Sequence, residues 1–217
     1  MGTINRVQMM HKRTFPALFF VCFLLFIQNA LGQEDNSMRI QGSLGLASMS
    51  DKNIASGFLS GFGFSVPIFK DVHLSLNFGA WKSQVSSKPD GLQAGTLMVN
   101  PFFASLYYFL KRGDRSITPY FFIGGGYIFS SFRMEDVASI PEITFSQKID
   151  NAPGGQVGAG IKIKVSKRIS LTGDVSYLYS KTSGTSVLRD LNSETITDDF
   201  SLILSAMIFQ LGIQFLI

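Results

Sequence analysis

The sequence predicts an all-β protein, a closed antiparallel up-and-down β-barrel that spans a membrane with eight strands. Between Gly154 and Ser180, apolar and polar residues alternate one by one in two runs, which gives each run one apolar and one polar face. Charged residues make up only 16% of the chain, yet beyond residue 32 no stretch is apolar for long enough to form a spanning helix. A closed barrel is then the structure that pairs every backbone group in lipid.

The first residues predict an export signal. A basic segment precedes an apolar run from Phe15 to Ile27, and the small residues Ala30 and Gly32 fit signal-peptidase cleavage before Gln33. We therefore expect residues 1–32 to be a cleaved secretory signal and residues 33–217 to form one barrel domain. Cys22, the only cysteine, lies inside the apolar run, so the mature chain is expected to carry no thiol site and no disulfide.

The remaining composition gives no reason to expect a nucleic-acid partner, a cofactor or a metal. Three of the 19 basic residues lie in the predicted signal, so the rest nearly balance the 15 acidic residues. His73 is the only histidine beyond the signal, and the acidic pairs at 135–136 and 198–199 fit a solvated loop surface better than a metal site.

Apolar residues of one parity mark the first three strands, and turn residues separate them. The predicted strands are Arg39–Met49, Ser56–Val66 and Val72–Lys82. Polar residues 50–53 form the first turn, and Pro67 begins the break after the second strand. On the third strand, apolar residues alternate with His73 and Ser75.

The fourth and fifth strands, Thr96–Leu110 and Thr118–Phe132, are apolar on both parities, so alternation does not assign their faces. An interior rich in aromatic residues would produce this pattern. A charged turn at 111–115 separates the two strands, and a long polar connection over Arg133–Pro153 follows. Weak alternation between residues 143 and 147 leaves a ten-stranded barrel open.

The last three strands are the two alternating runs, Gly154–Val165 and Ile169–Ser180, and the segment Phe200–Ile217. Two further long polar connections are Ser83–Ala94, after the third strand, and Lys181–Asp199, before the final strand. Three short connections therefore lie at one end of the barrel and three long ones at the other. Because outer-membrane barrels have short periplasmic turns and longer external loops, this predicts that both termini lie in the periplasm.

Aromatic residues are expected to form belts at the two membrane boundaries. The expected inner belt contains Phe69, Tyr107, Tyr108, Phe109, Tyr120 and Phe215, and the outer belt contains Trp81, Phe129, Tyr179 and Phe200. The alternative is that these side chains fill the core of a soluble barrel.

The parity of each strand predicts which residues face the lumen and which face lipid. The predicted lumen network is Arg39, Gln41, Lys162, Lys164, Thr172, Asp174, Gln210 and Gln214. The predicted lipid-facing residues are Leu44, Leu74, Leu76, Ile161, Ile163, Leu171, Leu211, Ile213 and Phe215. Lys162 is expected opposite Thr172 and diagonal to Asp174, with which it would pair. Since side chains fill an eight-stranded barrel, a wide pore is not expected.

Two segments resemble the small bacterial outer-membrane barrels of the OmpW, OmpX and opacity type. Thr118–Tyr127 is similar to their "PY-x-x-x-G-x-G-Y" strand, and Asn100–Phe109 is similar to the paired "P…YYF" strand. The resemblance implies a Gram-negative outer membrane, contact with its lipids and lipopolysaccharide, and biogenesis through periplasmic chaperones and the barrel-assembly machinery. The chain departs from the family in ending on Ile217 where the family ends on Phe.

Three functions are considered. The leading hypothesis is a non-enzymatic barrel with no catalytic residues, serving envelope integrity or adhesin-like surface interaction through the external loops. The OmpW resemblance implies an alternative, a porin-like passive route for small hydrophobic compounds with a lateral opening. Its lining would come from Met98, Phe102, Ile128 and Phe129.

The third function is a lipid A-modifying enzyme, since His73 and Ser75 share one strand face and some outer-membrane deacylases use a His and a Ser. No carboxylate follows before Asp90, so the orienting member of a triad is missing locally. We therefore expect a protein that is not an enzyme.

Overall fold

The computed structural model describes residues 38–86, 94–110, 116–134, 143–190 and 195–217, and these are organised into nine strands. The strands are β1 (Arg39–Met49), β2 (Gly57–Phe69), β3 (Val72–Val85), β4 (Gly95–Phe109), β5 (Ile117–Met134), β6 (Ile143–Ile149), β7 (Ala152–Lys164), β8 (Ile169–Asp190) and β9 (Thr195–Leu216). In these ranges no helical segment has the length and apolar character of a membrane crossing. The predicted signal at 1–32 lies outside the described residues.

Eight of the strands close into an antiparallel ring in the order β1, β2, β3, β4, β5, β7, β8, β9. The ring closes between β1 and β9, which pair from Arg39 opposite Leu216 to Met49 opposite Ala206. The predicted closed eight-stranded barrel is therefore confirmed. Closure pairs the backbone groups of every strand with a neighbour, as hydrocarbon requires.

The ninth strand, β6, does not enlarge this ring. It pairs with β8 from Ile143 opposite Asp190 to Ile149 opposite Gly184. β6 and β7 therefore pair with the same edge of β8, one above the other, and are separated by a break at Asp150 and Asn151. The long connection expected over 133–153 is therefore wrong for residues 143–149 and 152–153, which are strand, while residues 135–142 lie outside the described residues. The upper part of β8 would otherwise present an unpaired edge, and β6 covers it.

The expected long loop at 181–199 is also wrong, because β8 and β9 are each 22 residues long and pair up to Arg189 opposite Thr195. Lys181, Ser183, Asp198 and Asp199 are paired in this hairpin and are also exposed to water. Thr185 Oγ1 donates to Asp199 Oδ1 across the hairpin at 3.1 Å. We call residues 143–149, 181–190 and 195–204 the outer sheet.

The barrel interior is divided into two halves. The lower half adjoins the chain ends at Arg39 and Leu216, and the upper half adjoins the outer sheet. Buried apolar side chains fill the upper half, among them Leu59, Trp81, Leu97, Val99, Phe103, Ile128, Leu178, Leu204 and Ile208. A second cluster of Tyr107, Phe109, Tyr120 and Phe122 lies in the lower half. β4 and β5 are apolar on both parities because their interior positions carry these same residues.

Part of the predicted aromatic belts is wrong, because several of the aromatic residues fill the barrel interior. Four of the expected belt residues, Trp81, Tyr107, Phe109 and Tyr120, point into the barrel, and Trp81 is only 3% exposed. Phe200 is partly buried against the upper cluster. The belt residues that do lie on the outer face are Phe69, Tyr108 and Phe215 at the lower end and Phe129 and Tyr179 at the upper end.

Candidate functional site

The outer face of the barrel carries the residues that the sequence assigns to lipid. Leu44, Ile161, Leu171, Leu211, Ile213 and Phe215 are exposed, with Leu211 at 75%, while Leu74, Leu76 and Ile163 are partly exposed. All nine occupy the outward parity of their strands. An apolar belt of this kind is suited to hydrocarbon rather than to water.

Polar side chains of the predicted lumen network meet in the lower half. Gln41 Nε2 donates to Thr172 Oγ1 at 3.2 Å, and the Tyr120 hydroxyl donates to Asp174 Oδ2 at 3.1 Å. Gln214 is buried on the same face.

Of the remaining members of the predicted lumen network, one bonds to a serine hydroxyl of the barrel wall and others carry a positive charge. Gln210 Nε2 donates to Ser43 Oγ at 3.1 Å. Arg39 lies on the inward parity of β1, and Lys164 is exposed near the lower rim.

Two cations lie near a single aromatic ring. The guanidinium carbon of Arg39 is 5.7 Å from the centroid of Phe109, and the ammonium of Lys162 is 5.4 Å from it. Lys162 stands opposite Thr172 in the β7–β8 ladder. The predicted contact between Lys162 and Asp174 stays a prediction.

His73 and Ser75 are buried on the same interior face of β3, but their described contacts differ. The His73 ring nitrogens lie 3.2 and 3.4 Å from Arg39 Nη1, and Nδ1 lies 3.4 Å from Ser65 Oγ. Ser75 Oγ lies 2.9 Å from the carbonyl oxygen of Phe64 and 3.0 Å from Asn77 Oδ1.

The barrel wall is split in its upper half. The β5–β7 ladder ends where Ile128 stands opposite Ala152, above which β5 stays with β4 and β6 stays with β8. A cavity of about 300 Å³ lies between the two edges. It is lined by Ser130, Ser131 and Phe132 of β5 and by residues 147–151 of the β6 side. We call this opening the lateral gap.

Asn151 closes the bottom of the lateral gap. The backbone N–H of Ser130 donates to Asn151 Oδ1 at 2.9 Å, and the Tyr127 hydroxyl donates to the Asn151 carbonyl oxygen at 3.3 Å. Pro153, which pairs with Tyr127, has no N–H to contribute to the ladder. A side-chain bond therefore replaces the ladder where the two strands separate.

The lateral gap joins two environments. The exposed aromatic side chains of Tyr127, Phe129 and Tyr179 mark the level just below it as the membrane boundary. On its inner side, Phe132 and Ile149 belong to or pack against the apolar cluster of the upper half. On its outer side, residues 148 and 150–151 form an exposed polar rim.

The lining residues suggested by the sequence are placed differently. Ile128 faces the interior, whereas Met98, Phe102 and Phe129 lie on the outward parity. The residues of the lateral gap were not identified from the sequence; their signal was the break before Pro153 together with the weak alternation over 143–147. Within the described ranges, no three His, Cys, Asp or Glu side chains come together as a metal site.

A closed eight-stranded ring with an apolar outer face and a filled interior defines a small transmembrane barrel of the outer-membrane type. The chain belongs to the family of the outer membrane protein beta-barrel domain, whose model matches residues 18–215. It is thus a protein of the Gram-negative outer membrane, with membrane lipid around its outer face.

Solved structures of low sequence identity share this fold. OprG from Pseudomonas aeruginosa is 15% identical with a TM-score of 0.63, over 84% of this chain and 96% of that one. Neisserial surface protein A is 13% identical with a TM-score of 0.54, over 83% and 96%. Outer membrane protein W of E. coli is 12% identical with a TM-score of 0.50, over 84% and 98%. A comparison with curated proteins gives no match.

Proposed function

We propose that this protein is a non-enzymatic barrel that passes small apolar molecules from the cell surface into the outer membrane through the lateral gap. The observation that carries the proposal is the split between β5 and β6, which opens onto an apolar interior. A volume of about 300 Å³ is at the lower end of the range of small-molecule sites.

The route is lateral because the side chains of the described strands leave no continuous passage along the barrel axis. Leu97, Val99 and Ile128 in the upper half are fully buried, and the hydrogen-bonded network fills the lower half. A molecule that reaches Phe132 and Ile149 therefore lies just above the membrane boundary, with packed side chains below it. For the molecule to move sideways into the bilayer, the hydrogen bond between Ser130 and Asn151 must break, while the rest of the barrel stays paired.

The test bridges the lateral gap in intact cells. Ser131→Cys and Lys148→Cys stand on opposite edges, and a membrane-impermeant bis-maleimide would link them. Uptake of an apolar fluorophore such as N-phenylnaphthylamine should be faster with the protein than without it, and bridging should abolish the increase. The matched control bridges Thr185→Cys and Asp199→Cys, a cross-strand pair of the outer sheet, and should leave uptake unchanged.

Two results would contradict the route. Uptake that persists after the gap is bridged would show that molecules do not pass between β5 and β6. Equal acceleration of a polar solute would indicate an aqueous pore instead. The bridged fraction is read from the mass of the intact protein, so incomplete linking is distinguished from a failed prediction.

A surface-interaction role is the second candidate, and the outer sheet favours it. This sheet continues beyond the level of Tyr179 and exposes Ile196 and Ile203 next to the acidic residues 198–199. Shortening the hairpin at 185–199 should remove binding to cells or matrix while leaving apolar uptake intact. Loss of both activities together would not support two separate sites.

The proposal includes orientation and the absence of catalysis. With the outer sheet at the cell surface, both chain ends face the periplasm, and Ser183→Cys should react with an impermeant maleimide on intact cells.

The burial of His73 and its contacts with Arg39 and Ser65 support a role in packing. Lipid A from expressing cells should keep its mass; a deacylated species lost in His73→Gln would overturn this part.

A further inference from the structure

Three basic side chains surround the mouth of the lateral gap on its outer side. Arg133 lies on the outward parity of β5, two residues beyond Ser131 of the gap lining. Lys148 lines the gap from β6, and Lys181 lies on the outward parity of β8, two residues beyond Tyr179. All three are exposed, and they lie just above the membrane boundary that Tyr179 marks. We call them the basic collar.

Paired strands hold the backbone of the collar on both sides of the split. Arg133 is part of the β4–β5 ladder, and Lys148 is part of the β6–β8 ladder. Lys181 lies between Ser180 and Thr182, whose hydroxyls donate to backbone carbonyl oxygens of the segment where β6 gives way to β7. The three charges therefore belong to one opening with fixed edges.

Acidic residues near the mouth do not cancel this charge. Of the described residues that line the gap, Asp150 is the one acid, and it accepts a hydrogen bond from Ser183 Oγ at 3.0 Å. Asp199 is separated from Lys148 by β8 and accepts a hydrogen bond from Thr185 Oγ1 at 3.1 Å. The charge of the described residues at the mouth is positive with Asp150 alone, and it stays positive when Asp199 is counted.

Behind the collar, the gap becomes apolar. Phe132 packs against the apolar cluster of the upper half, and Ile149 belongs to that cluster and is 3% exposed. A molecule with a negatively charged head and an apolar tail can place its tail against these two side chains and its head at the collar. Because the head stays in contact with water, it avoids the large cost of burying a charge.

We propose that the lateral gap selects single-chain carboxylates, molecules with one alkyl chain and a negatively charged head, over neutral molecules of the same length. This inference rests on the proposed function of the gap as a route. A cavity of about 300 Å³ has room for one chain but not for a lipid with several acyl chains. Positive charge around a cleft also raises the local concentration of anions, and so the rate at which they enter.

The expected preference is modest, because an exposed ion pair contributes little free energy. Three cations that act on one carboxylate should lower the half-saturating concentration of an acid about tenfold relative to the corresponding alcohol, which is about 1.4 kcal/mol. Since the charges are exposed, the preference should shrink when the salt concentration is raised from about 0.05 M to about 0.5 M.

The experiment compares dodecanoate with dodecanol, each carrying a diazirine at the end of its chain. The folded protein is labelled in phosphatidylcholine nanodiscs at about pH 9, where a carboxylate is ionised and lysine stays protonated. Mass spectrometry measures labelling of the peptides that contain Phe132 and Ile149. In the parent protein, dodecanoate should reach half-saturation at a concentration about tenfold lower than dodecanol.

Substitutions of the collar test the origin of this preference. In the triple variant Arg133→Gln/Lys148→Gln/Lys181→Gln, dodecanoate and dodecanol should reach half-saturation at similar concentrations. Lys148→Gln alone should reduce the preference about twofold, one third of the free energy of the whole collar. The matched control is Lys52→Gln, which removes an exposed lysine from the turn between β1 and β2, opposite the gap in the ring. It should keep the full preference.

Several results would overturn the proposal. A preference that survives the triple substitution or high salt would show that the collar charge does not select the head. Saturable labelling by both compounds at equal concentrations would refute selection and leave the lateral route in place, whereas no saturable labelling by either would refute the route as well. Displacement of dodecanoate by a lower concentration of lipopolysaccharide would assign the collar to lipid phosphates instead. Heat-modifiable gel migration establishes that each variant is folded.

Discussion

The loss of stability on replacing an isoleucine inside the barrel can be compared with the loss on replacing one on its outer face. The comparison distinguishes a side chain packed against protein from one packed against lipid. Ile128 and Ile123 lie on the same strand, β5, but Ile128 is 0% exposed in the upper apolar cluster, whereas Ile123 is 64% exposed on the lipid face. Each substitution by alanine removes the same three carbon atoms. The difference between the two variants therefore reports on the surroundings of the side chain.

The expected destabilisation follows from two contributions. Three methylene equivalents at about 0.8 kcal/mol each give about 2.4 kcal/mol of lost transfer free energy at either site, because both side chains leave water on folding. At Ile128 the neighbours are fixed, and an unfilled volume of about 80 Å³ at about 24 cal/mol per Å³ adds about 2 kcal/mol. At Ile123 mobile acyl chains fill the space. We expect about 4 kcal/mol for Ile128→Ala and about 2 kcal/mol for Ile123→Ala.

The assay is equilibrium unfolding in urea with lipid vesicles present, followed by intrinsic fluorescence. Trp81 is the only tryptophan and is buried in the same apolar cluster, so its emission reports directly on loss of the fold. Coincident unfolding and refolding curves establish equilibrium. Equal free-energy changes for the two variants would contradict a packed upper half, and a larger loss at Ile123 would contradict the assignment of the faces.

Three further changes test individual contacts. Asn151→Ala removes the acceptor of the Ser130 N–H, so hydrogen exchange at Ser130 should accelerate by about tenfold or more, as loss of about 1.4 kcal/mol implies, with little change in global stability. Tyr120→Phe removes the hydroxyl that bonds to Asp174 and should lower the unfolding free energy by about 1–3 kcal/mol. Leu211→Lys puts a charge on the most exposed position of the lipid belt and should cost about 2–4 kcal/mol in vesicles.

Each of these has its own control. Asn100→Ala, on the outward face of β4, should leave exchange at Ser130 unchanged. Tyr108→Phe removes an exposed hydroxyl and should change stability by less than about 0.5 kcal/mol. A Leu211→Lys variant as stable as the parent protein would contradict contact between β9 and hydrocarbon. Unchanged exchange in Asn151→Ala would show that the ladder continues without this side chain.

The eight-stranded ring could be predicted from the sequence because the alternation of apolar and polar residues is a local property of each strand. Strands such as β3 and β7 carry one apolar and one polar face, and the pairing of Lys162 with Thr172 follows from the short turn between β7 and β8. Alternation fails where both faces are apolar. Trp81 and Tyr120 were placed on the aromatic belts since an aromatic residue suits a membrane boundary and a barrel core equally well.

The outer sheet and the lateral gap depend on pairing over long distances in the chain. Residues 185–187 and 196–199 are partly or fully exposed on both faces, so their hydrophobic pattern carries no strand signal, although β8 and β9 pair as far as Arg189 opposite Thr195. The position of β6 depends on an edge of β8 that lies about 40 residues away in sequence. The split beside Ser130 results from the pairing of β6 with β8, which the break before Pro153 and the weak alternation over 143–147 indicate only in part.

The lateral route is tested most directly by photolabelling of the lateral gap with a small apolar diazirine in outer-membrane vesicles. Lipid-facing positions such as Leu211 are expected to be labelled in proportion to probe concentration, since they contact the bilayer. Phe132 and Ile149 should be labelled in a saturable manner, and excess unlabelled apolar compound should compete at these two positions alone. Labelling of the gap that is absent, or that rises linearly with probe as it does at Leu211, would contradict a binding route between β5 and β6.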